Sequence, residues 1–178
     1  TPYAATFVGC DAPNAVWCAD FKGGFELGNG RRCNPLTISD AYSRYLLRCE
    51  GMTLMDEQRV RPIFESAFCE FGLPIAIRTD NGPPFATVAA GGVSRLALWW
   101  LKLGIRPERI RPAKPQENGR HERMHRTLKA ETTKPPERTL ADQQRAFDRF
   151  RRVYNQERPH EALGQKPPWT AYEASPRR

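Results

Sequence analysis

The sequence predicts an α/β fold in which helices cover both faces of a mixed β-sheet. Its first third contains short runs of branched and aromatic residues separated by glycines, which is typical of consecutive strands. From Asp56 onwards, segments with helical periodicity alternate with further strand-like runs. That order is typical of a single α/β domain, and 178 residues are enough to form one.

Five strands are expected. The first begins at Ala15, is apolar, branched and aromatic, and is followed by a glycine-rich turn. The first three strands are short and consecutive, which predicts an antiparallel meander. Pro107 restricts the last strand to an edge or a bulge, because proline has no backbone N–H to donate. The predicted strands cover residues 15–22, 33–39, 45–51, 75–79 and 105–111.

Four helices are expected between and after the strands. In the first, Val60, Phe64 and Phe68 fall on one face, and a glycine and a proline beyond its end supply the stop. The last opens with Thr139 and Asp142, which resemble a capping box. The first three predicted helices cover residues 56–71, 94–103 and about 120–131, and the fourth begins after 139.

The chain is expected to comprise an N-terminal arm (1–14), a core (15–158) and a proline-rich tail (159–178) that runs over the surface. No apolar run approaches the roughly 20 residues that a membrane span needs, and no signal-peptide pattern opens the sequence. We therefore expect an intracellular protein with no membrane partner. Thr1 indicates a piece of a longer chain.

The charge balance indicates a polyanionic partner. Lys and Arg outnumber Asp and Glu by 28 to 20, which gives a net charge of +8 and a pI near 9.6, so nucleic acid is the first partner to consider. A basic surface that is merely solvated is the alternative. The five cysteines show no C-x-x-C spacing, which predicts small buried side chains in a reducing cytoplasm.

Two aspartates occupy positions that suit a metal site. Asp20 shares a strand face with Val16 and Cys18, so its carboxylate emerges from a largely buried face, where an uncompensated charge is costly. Asp80 ends another strand. Carboxylates brought together repel unless a cation lies between them, and Mg²⁺ prefers such oxygen ligands. The alternatives are a turn-forming role for Asp80 and an ion pair with an arginine for Asp20.

A third acidic residue, Glu122, lies in the basic segment 114–123. The run from His121 to His125 also matches the H-E-x-x-H motif of zinc proteases. Such a protease needs a third zinc ligand, and the one remaining histidine, His160, lies beyond a proline break. The sequence therefore lacks the third zinc ligand that a protease of this kind requires.

Four blocks of sequence resemble the DDE transposases, which are related to retroviral integrases. They read W-C-A-D-F-K at 17–22, R-T-D-N-G-P-P-F at 78–85, P-Q-E-N-G-R-H-E-R-M-H-R-T-L-K at 115–129 and R-P-H-E-A-L-G-Q-K-P-P at 158–168. The first three are similar to the catalytic blocks of insertion-sequence transposases of the IS481 and IS3 kind. The fourth resembles the segment that closes their core, and together the blocks cover nearly the whole chain in the family's order.

The resemblance implies a ribonuclease-H-like fold with a five-stranded mixed sheet and a site of three catalytic, metal-binding carboxylates. Asp20 would lie on the first strand, Asp80 just after the fourth and Glu122 on the following long helix. Asp20 and Asp80 are separated by 59 residues, which suits the family, and Asp80 and Glu122 by 41, against a usual spacing of about 35. Glu117 gives a gap of 36, but the family glutamate follows a glycine by three residues, and Gly119 selects Glu122.

The resemblance also implies a cofactor, a reaction and partners. Two Mg²⁺ (or Mn²⁺) ions per site would support cutting at the element's DNA ends and joining of the freed 3′-OH to target DNA. A homodimer or larger assembly on DNA, in a bacterial cytoplasm at the nucleoid, is expected. The alternatives are an inactive, domesticated core that binds DNA or protein, and a nuclease of the same fold that cuts without joining.

Basic and polar residues around Glu122 are expected to contact DNA. Arg126 and Lys129 share a helical face with Glu122, and family contacts fall at these offsets. For each arginine, a solvated surface charge is the alternative. The expected contacts are Lys114, Gln116, Asn118, Arg120, Arg123, His125, Arg126 and Lys129.

Overall fold

The computed structural model describes residues 8–21, 23–80, 82–85, 92–110 and 119–178, with the backbone alone at residues 119 and 120. The strands are β1 (Val16–Phe21), β2 (Phe25–Glu26), β3 (Arg32–Asp40), β4 (Leu46–Met52), β5 (Ala76–Thr79) and β6 (Arg106–Arg109). The helices are α1 (Glu57–Phe71), α2 (Arg95–Lys102), α3 (Gly119–Thr132) and α4 (Leu140–Gln156). None of the helices within these ranges is long and apolar enough to span a membrane.

The strands form one mixed sheet. β3 lies between β1 and β4 and is antiparallel to both, so the predicted meander is confirmed. β1 is parallel to β5, and β5 is parallel to β6, which is an edge strand as Pro107 predicts. All five predicted strands are present. The sheet has a sixth, because the two-residue β2 pairs with the start of β3 in a segment that the sequence predicted as a turn.

Helices cover both faces of this sheet, as predicted. Alternate side chains of β3 point to opposite faces, so Leu36 and Ile38 lie in one core while Cys33 lies in the other. α1 and α2 cover the first face, in a core that includes Trp17, Leu36, Ile38, Phe64, Phe68, Leu96 and Trp100. α3 and α4 cover the second face, in a core that includes Leu46, Met124, Leu128, Phe147 and Phe150.

The tail is anchored to the core, more firmly than a surface segment is expected to be. The ring of Tyr172 stacks on that of Tyr45 with centroids 4.5 Å apart. The Ser175 N–H donates to the Phe71 carbonyl at 2.8 Å. At Gly72, where α1 ends with φ 78°, an added Cβ would lie 2.4 Å from the Ser175 carbonyl oxygen. Glycine is therefore required there both for the backbone conformation and for the close approach of the tail.

The five cysteines, all within the described residues, form no disulfide, and they differ in burial. Cys33 and Cys49 are buried as predicted, and burial raises the pKa of Cys33 to about 11. Cys69 is exposed, so the prediction of a small buried side chain is wrong at that position. It lies on the solvent side of α1, where the helical period leaves it outside the core.

The outer edge of β4 is covered by amide side chains of α4. Asn155 accepts from the Leu46 N–H at 2.7 Å through Oδ1 and donates to the Leu46 carbonyl at 2.9 Å through Nδ2. Gln144 accepts from the Gly51 N–H at 2.7 Å and donates to the Cys49 carbonyl at 2.9 Å. The two side chains form hydrogen bonds with backbone N–H and C=O groups of β4. On an uncovered edge strand, such groups can pair with a strand of another chain.

We expect Asn155→Leu to lower the free energy of unfolding by about 1–3 kcal/mol, because it leaves the buried Leu46 N–H without an acceptor. Urea titration followed by circular dichroism measures the change. Gln156→Leu, one residue further along α4 and exposed, is the matched control and should change stability by less than about 0.5 kcal/mol. Equal losses in the two variants would show that the amide pairing is not what stabilises this edge.

Candidate active site

Two of the predicted carboxylates lie at the same edge of the sheet. The parallel register pairs Val16 with Ala76 and Cys18 with Arg78. Asp20 lies two residues beyond Cys18 on β1, and Asp80 lies two residues beyond Arg78, directly after β5. Since adjacent strands are about 4.8 Å apart, this register predicts that the two aspartates are neighbours at the carboxyl ends of β1 and β5.

Asp80 shapes the turn that follows its strand. Its Oδ1 accepts a hydrogen bond from the Gly82 N–H at 2.9 Å, which is the turn-forming contact considered as an alternative for this residue. A carboxylate has about four lone-pair positions, so this contact leaves acceptor capacity for a second role. The turn holds the carboxylate in place at the end of β5.

Glu122 lies in the first turn of α3, on its solvent side. The buried stripe of the helix consists of His121, Met124, His125 and Leu128, which follow the 3.6-residue period. Glu122 is therefore rotated by about 100° from His121 around the helix axis, outside the buried stripe. The sequence predicted α3 over about 120–131, and the helix is observed over Gly119–Thr132.

Two buried histidines join α3 to the sheet. Thr37 Oγ1 lies 2.9 Å from His121 Nε2 and 2.6 Å from His125 Nε2. Ser39 Oγ lies 3.1 Å from His121 Nδ1. Burial lowers the pKa of His121 to about 4, so this imidazole is neutral near pH 7. The network connects the helix that carries Glu122 with strand β3, the neighbour of β1.

These histidines also lie beside Asp20. One carboxylate oxygen of Asp20 and one ring nitrogen each of His121 and His125 all lie within 4.8 Å of one another. In the described ranges no other set of three such groups is so close, so Asp20, Asp80 and Glu122 are not within that distance of each other. Their convergence on shared ions stays a prediction.

Comparison with protein families identifies the chain. A family model described as integrase core domain matches residues 11–115, more than half of the sequence, and a second model of the same description matches residues 103–168. The chain belongs to the integrase core domain family. The resemblance to DDE transposases and integrases is therefore confirmed, and the second match includes the closing segment at 158–168.

Relatives of this integrase core domain occur in bacteria and viruses. It is 32% identical over 158 residues to an insertion element IS476 uncharacterized 39.2 kDa protein of Xanthomonas euvesicatoria, covering 88% of this chain and 43% of the relative. It is 29% identical to an insertion element IS407 uncharacterized 31.7 kDa protein of Burkholderia multivorans, covering 85% and 53%. The chain thus spans about half the length of these relatives.

Solved structures share its fold. A chain of a simian T-cell lymphotropic virus intasome, solved in complex with the PP2A regulatory subunit B56 gamma, superposes with a TM-score of 0.74 at 20% identity, covering 93% of this chain and 56% of that one. The HTLV-2 integrase catalytic core domain in complex with magnesium gives 0.67 at 17% identity, covering 91% and 98%. The predicted ribonuclease-H-like fold is confirmed.

The expected DNA contacts of this integrase core domain fall into three groups. Arg123, Arg126 and Lys129 are exposed on α3, where DNA can reach them. His125 is 5% exposed and bonded to Thr37, which argues against the direct DNA contact that the sequence suggested. Outside the described residues lie Lys114, Gln116, Asn118, the rejected Glu117 and the side chain of Arg120.

A buried ion pair braces the sheet behind Asp80. The Arg78 guanidinium donates to Glu108 Oε1 from Nη2 at 3.0 Å and from Nε at 3.2 Å, between β5 and β6. The Val8 N–H donates to the other Glu108 oxygen at 2.8 Å. Because Arg78 precedes Asp80 by two residues on the same strand, the pair fixes the segment that places the aspartate.

The histidine network was not predicted from the sequence. The signals for it were present: His121 and His125 have the i, i+4 spacing of one helical face, and Thr37 and Ser39 are hydroxyl residues on one face of a strand. What the sequence could not supply was the contact between that helix face and that strand. His160 does not join them, because its ring packs on that of Tyr154, with centroids 4.9 Å apart.

Proposed function

We propose that this chain is the catalytic core of a DNA transposase or integrase, a DDE polynucleotidyl transferase that cuts element ends and joins their 3′-OH groups to target DNA. One observation carries the proposal. In a chain of the integrase core domain family, the β1–β5 register supports a common position for Asp20 and Asp80 at the carboxyl ends of their strands, and His121, next to Glu122 on α3, lies beside Asp20.

The donor set fits a hard divalent cation. Asp20, Asp80 and Glu122 offer carboxylate oxygens, which Mg²⁺ and Mn²⁺ prefer, and these three residues would hold the two ions expected in the DNA complex. The magnesium in the HTLV-2 integrase core supports this choice of cation. When bound, such ions supply positive charge to the attacking and leaving oxygens of a phosphoryl transfer.

Cutting and joining each exchange one phosphorus–oxygen bond for another, and the chain's own residues only position the reactants. In cutting, a bond forms between a water oxygen and phosphorus while the bond to the 3′ oxygen breaks. In joining, the same 3′-OH attacks a phosphorus of target DNA, whose own 3′ oxygen leaves. Water and DNA supply both attacking oxygens, so no serine, tyrosine or cysteine nucleophile is needed. The exposed Arg126 and Lys129 would hold the DNA backbone beside Glu122.

The partners proposed are element ends, target DNA and further copies of the chain. Two ends must be processed together, which requires more than one active site. The simian T-cell lymphotropic virus intasome and the dimeric and trimeric forms of the HTLV-2 integrase core support an assembly. The insertion-element relatives support a bacterial origin, and we propose that the protein acts in the cytoplasm at the nucleoid.

Incubation with labelled oligonucleotides that carry element ends, in Mg²⁺ or Mn²⁺, tests the proposal. The expected products are a cut strand and a longer strand produced by joining to target DNA, both abolished by EDTA. Cutting without joining would indicate a nuclease of the same fold. DNA binding with no product in either metal would indicate an inactive core, and in both cases the proposal fails.

Removal of charge from the exposed side of α3 should weaken DNA binding. We expect Arg126→Ala or Lys129→Ala to reduce affinity for every DNA sequence alike and to lower the slope of log K against log salt by about one each. Fluorescence anisotropy at several salt concentrations measures both quantities. Arg152→Ala, an exposed arginine on α4, is the control, and an equal effect there would refute a specific role for α3.

A further inference from the structure

In the folded chain, a third candidate zinc ligand lies beside the two histidines of the H-E-x-x-H run. His121 and His125 are 4% and 5% exposed and lie on one face of α3. Asp20, from β1, contributes an oxygen within 4.8 Å of a nitrogen on each ring. Two imidazoles and one carboxylate are a common ligand set of zinc sites in which water completes the coordination.

We propose that Asp20, His121 and His125 form a zinc site. Asp20 is the one residue that this site has in common with the proposed carboxylate site. Binding of Zn²⁺ at the histidines withdraws Asp20 from the Mg²⁺-dependent reaction. The first statement depends only on the geometry of these residues, whereas the second rests on the function proposed above.

The spacing of the donor atoms requires only a small adjustment. A tetrahedral zinc with bonds of about 2.0–2.1 Å places its ligand atoms roughly 3.3 Å apart, so donors within 4.8 Å must approach by at most about 1.5 Å. Both Nε2 atoms already point at one oxygen, Thr37 Oγ1, at 2.9 and 2.6 Å. The two nitrogens therefore converge, and a rotation of the threonine side chain leaves them directed at a cation.

Ser39 provides the outer support that zinc-bound histidines generally have. Its Oγ lies 3.1 Å from His121 Nδ1, so Nδ1–H can donate to it while Nε2 presents a lone pair. This tautomer is the one that a metal at Nε2 requires. The Ser39 hydroxyl on β3 therefore orients the His121 ring before any metal binds.

The ligand types favour Zn²⁺ over Mg²⁺ at this position. Imidazole nitrogen suits zinc, whereas Mg²⁺ prefers oxygen ligands alone. Zn²⁺ also exceeds Mn²⁺ in the general order of affinity for nitrogen and oxygen sites. While the Asp20 carboxylate binds zinc beside the histidines, it cannot also serve as a full ligand of Mg²⁺ at the carboxylate site. Zinc and magnesium therefore compete for Asp20.

Competition for Zn²⁺ with a chromophoric chelator at pH 7 tests the site on the protein alone. We expect one Zn²⁺ per chain, with the affinity lowered by at least about tenfold in Asp20→Asn and in His125→Gln. Ser39→Ala, which keeps all three ligands, should weaken binding by roughly 10- to 100-fold through loss of the outer hydrogen bond. Thermal melts of each variant identify any that fail to fold.

Co²⁺ in place of Zn²⁺ identifies the ligands by absorption. Visible bands of a four- or five-coordinate ion without a sulfur-to-cobalt charge-transfer band are expected, and these bands should be lost in His125→Gln. A charge-transfer band would assign the metal to the free cysteines and overturn the site. Unchanged Zn²⁺ affinity in folded Asp20→Asn and His125→Gln would overturn it as well.

Asp80→Asn separates this inference from the proposed function. That variant keeps the three proposed zinc ligands and removes one proposed magnesium ligand, so it should bind Zn²⁺ like the parent chain while losing strand transfer. In the parent chain, Zn²⁺ should inhibit the Mg²⁺ reaction, and a rise in Mg²⁺ should relieve the inhibition. Zinc binding that leaves the reaction unchanged would refute the sharing of Asp20 while leaving the site itself intact.

Discussion

Replacement of Asp80 by asparagine is expected to reduce DNA cutting and joining by a factor on the order of 10³ or more. The amide keeps the size of the side chain and can still accept from the Gly82 N–H, so the turn after β5 should persist. It removes the negative charge that helps to hold a divalent cation. Metal-ion catalysis supplies several kcal/mol of transition-state stabilisation, and about 1.36 kcal/mol corresponds to tenfold in rate.

Single-turnover strand transfer on pre-cut element ends measures the loss without the slower steps of assembly and release. Asp11→Asn is the matched control, because Asp11 is exposed and lies before β1. It should react at the parent rate. Activity of Asp80→Asn within about threefold of the parent would show that the carboxylate acts only in the turn.

Replacement of Glu108 by glutamine is expected to lower the free energy of unfolding by about 3–5 kcal/mol. The side chains of Arg78 and Glu108 are only 9% and 2% exposed, so the variant leaves a buried guanidinium without its carboxylate. It also weakens the contact with the Val8 N–H, which joins the N-terminal arm to β6. Because β5 carries Arg78 just before Asp80, strand transfer should fall together with stability.

Chemical denaturation of three variants tests this account of the ion pair. Glu65→Gln breaks an exposed pair with Arg61 on α1 and should cost less than about 1 kcal/mol. Arg78→Met combined with Glu108→Leu removes both charges and should recover much of the stability lost in Glu108→Gln. If Glu108→Gln costs no more than the surface control, the pair does not brace the sheet.

Local patterns were sufficient to predict most of the fold. Apolar, branched and aromatic runs located the five longer strands, and α1 to α3 were located within one or two residues. For α4 the capping residues located the start, and no end was predicted. Strand β2 was missed because two residues, Phe25 and Glu26, cannot show a period, and they pair only because β3 extends beside them. The anchored tail was missed because its contacts join residues about 100 positions apart.

The site was predictable to the extent that its residues have local signatures. Asp80 has its turn and Glu122 has the preceding glycine, and each can be recognised within a few positions of sequence. The role of His125 could not be recognised in this way. A basic helix predicts exposed charges, and only the packing of α3 on β3 shows that this histidine is buried against Thr37.

Diffraction from crystals soaked in Mn²⁺, with anomalous data collected at the manganese edge, tests most directly whether the three carboxylates share divalent ions. The expected result is anomalous density bound by Asp20 and Asp80, with Glu122 turned towards it in the presence of DNA. Manganese bound elsewhere, with ordered side chains of Asp80 and Glu122 directed away from Asp20 in the DNA complex, would contradict the proposed active site.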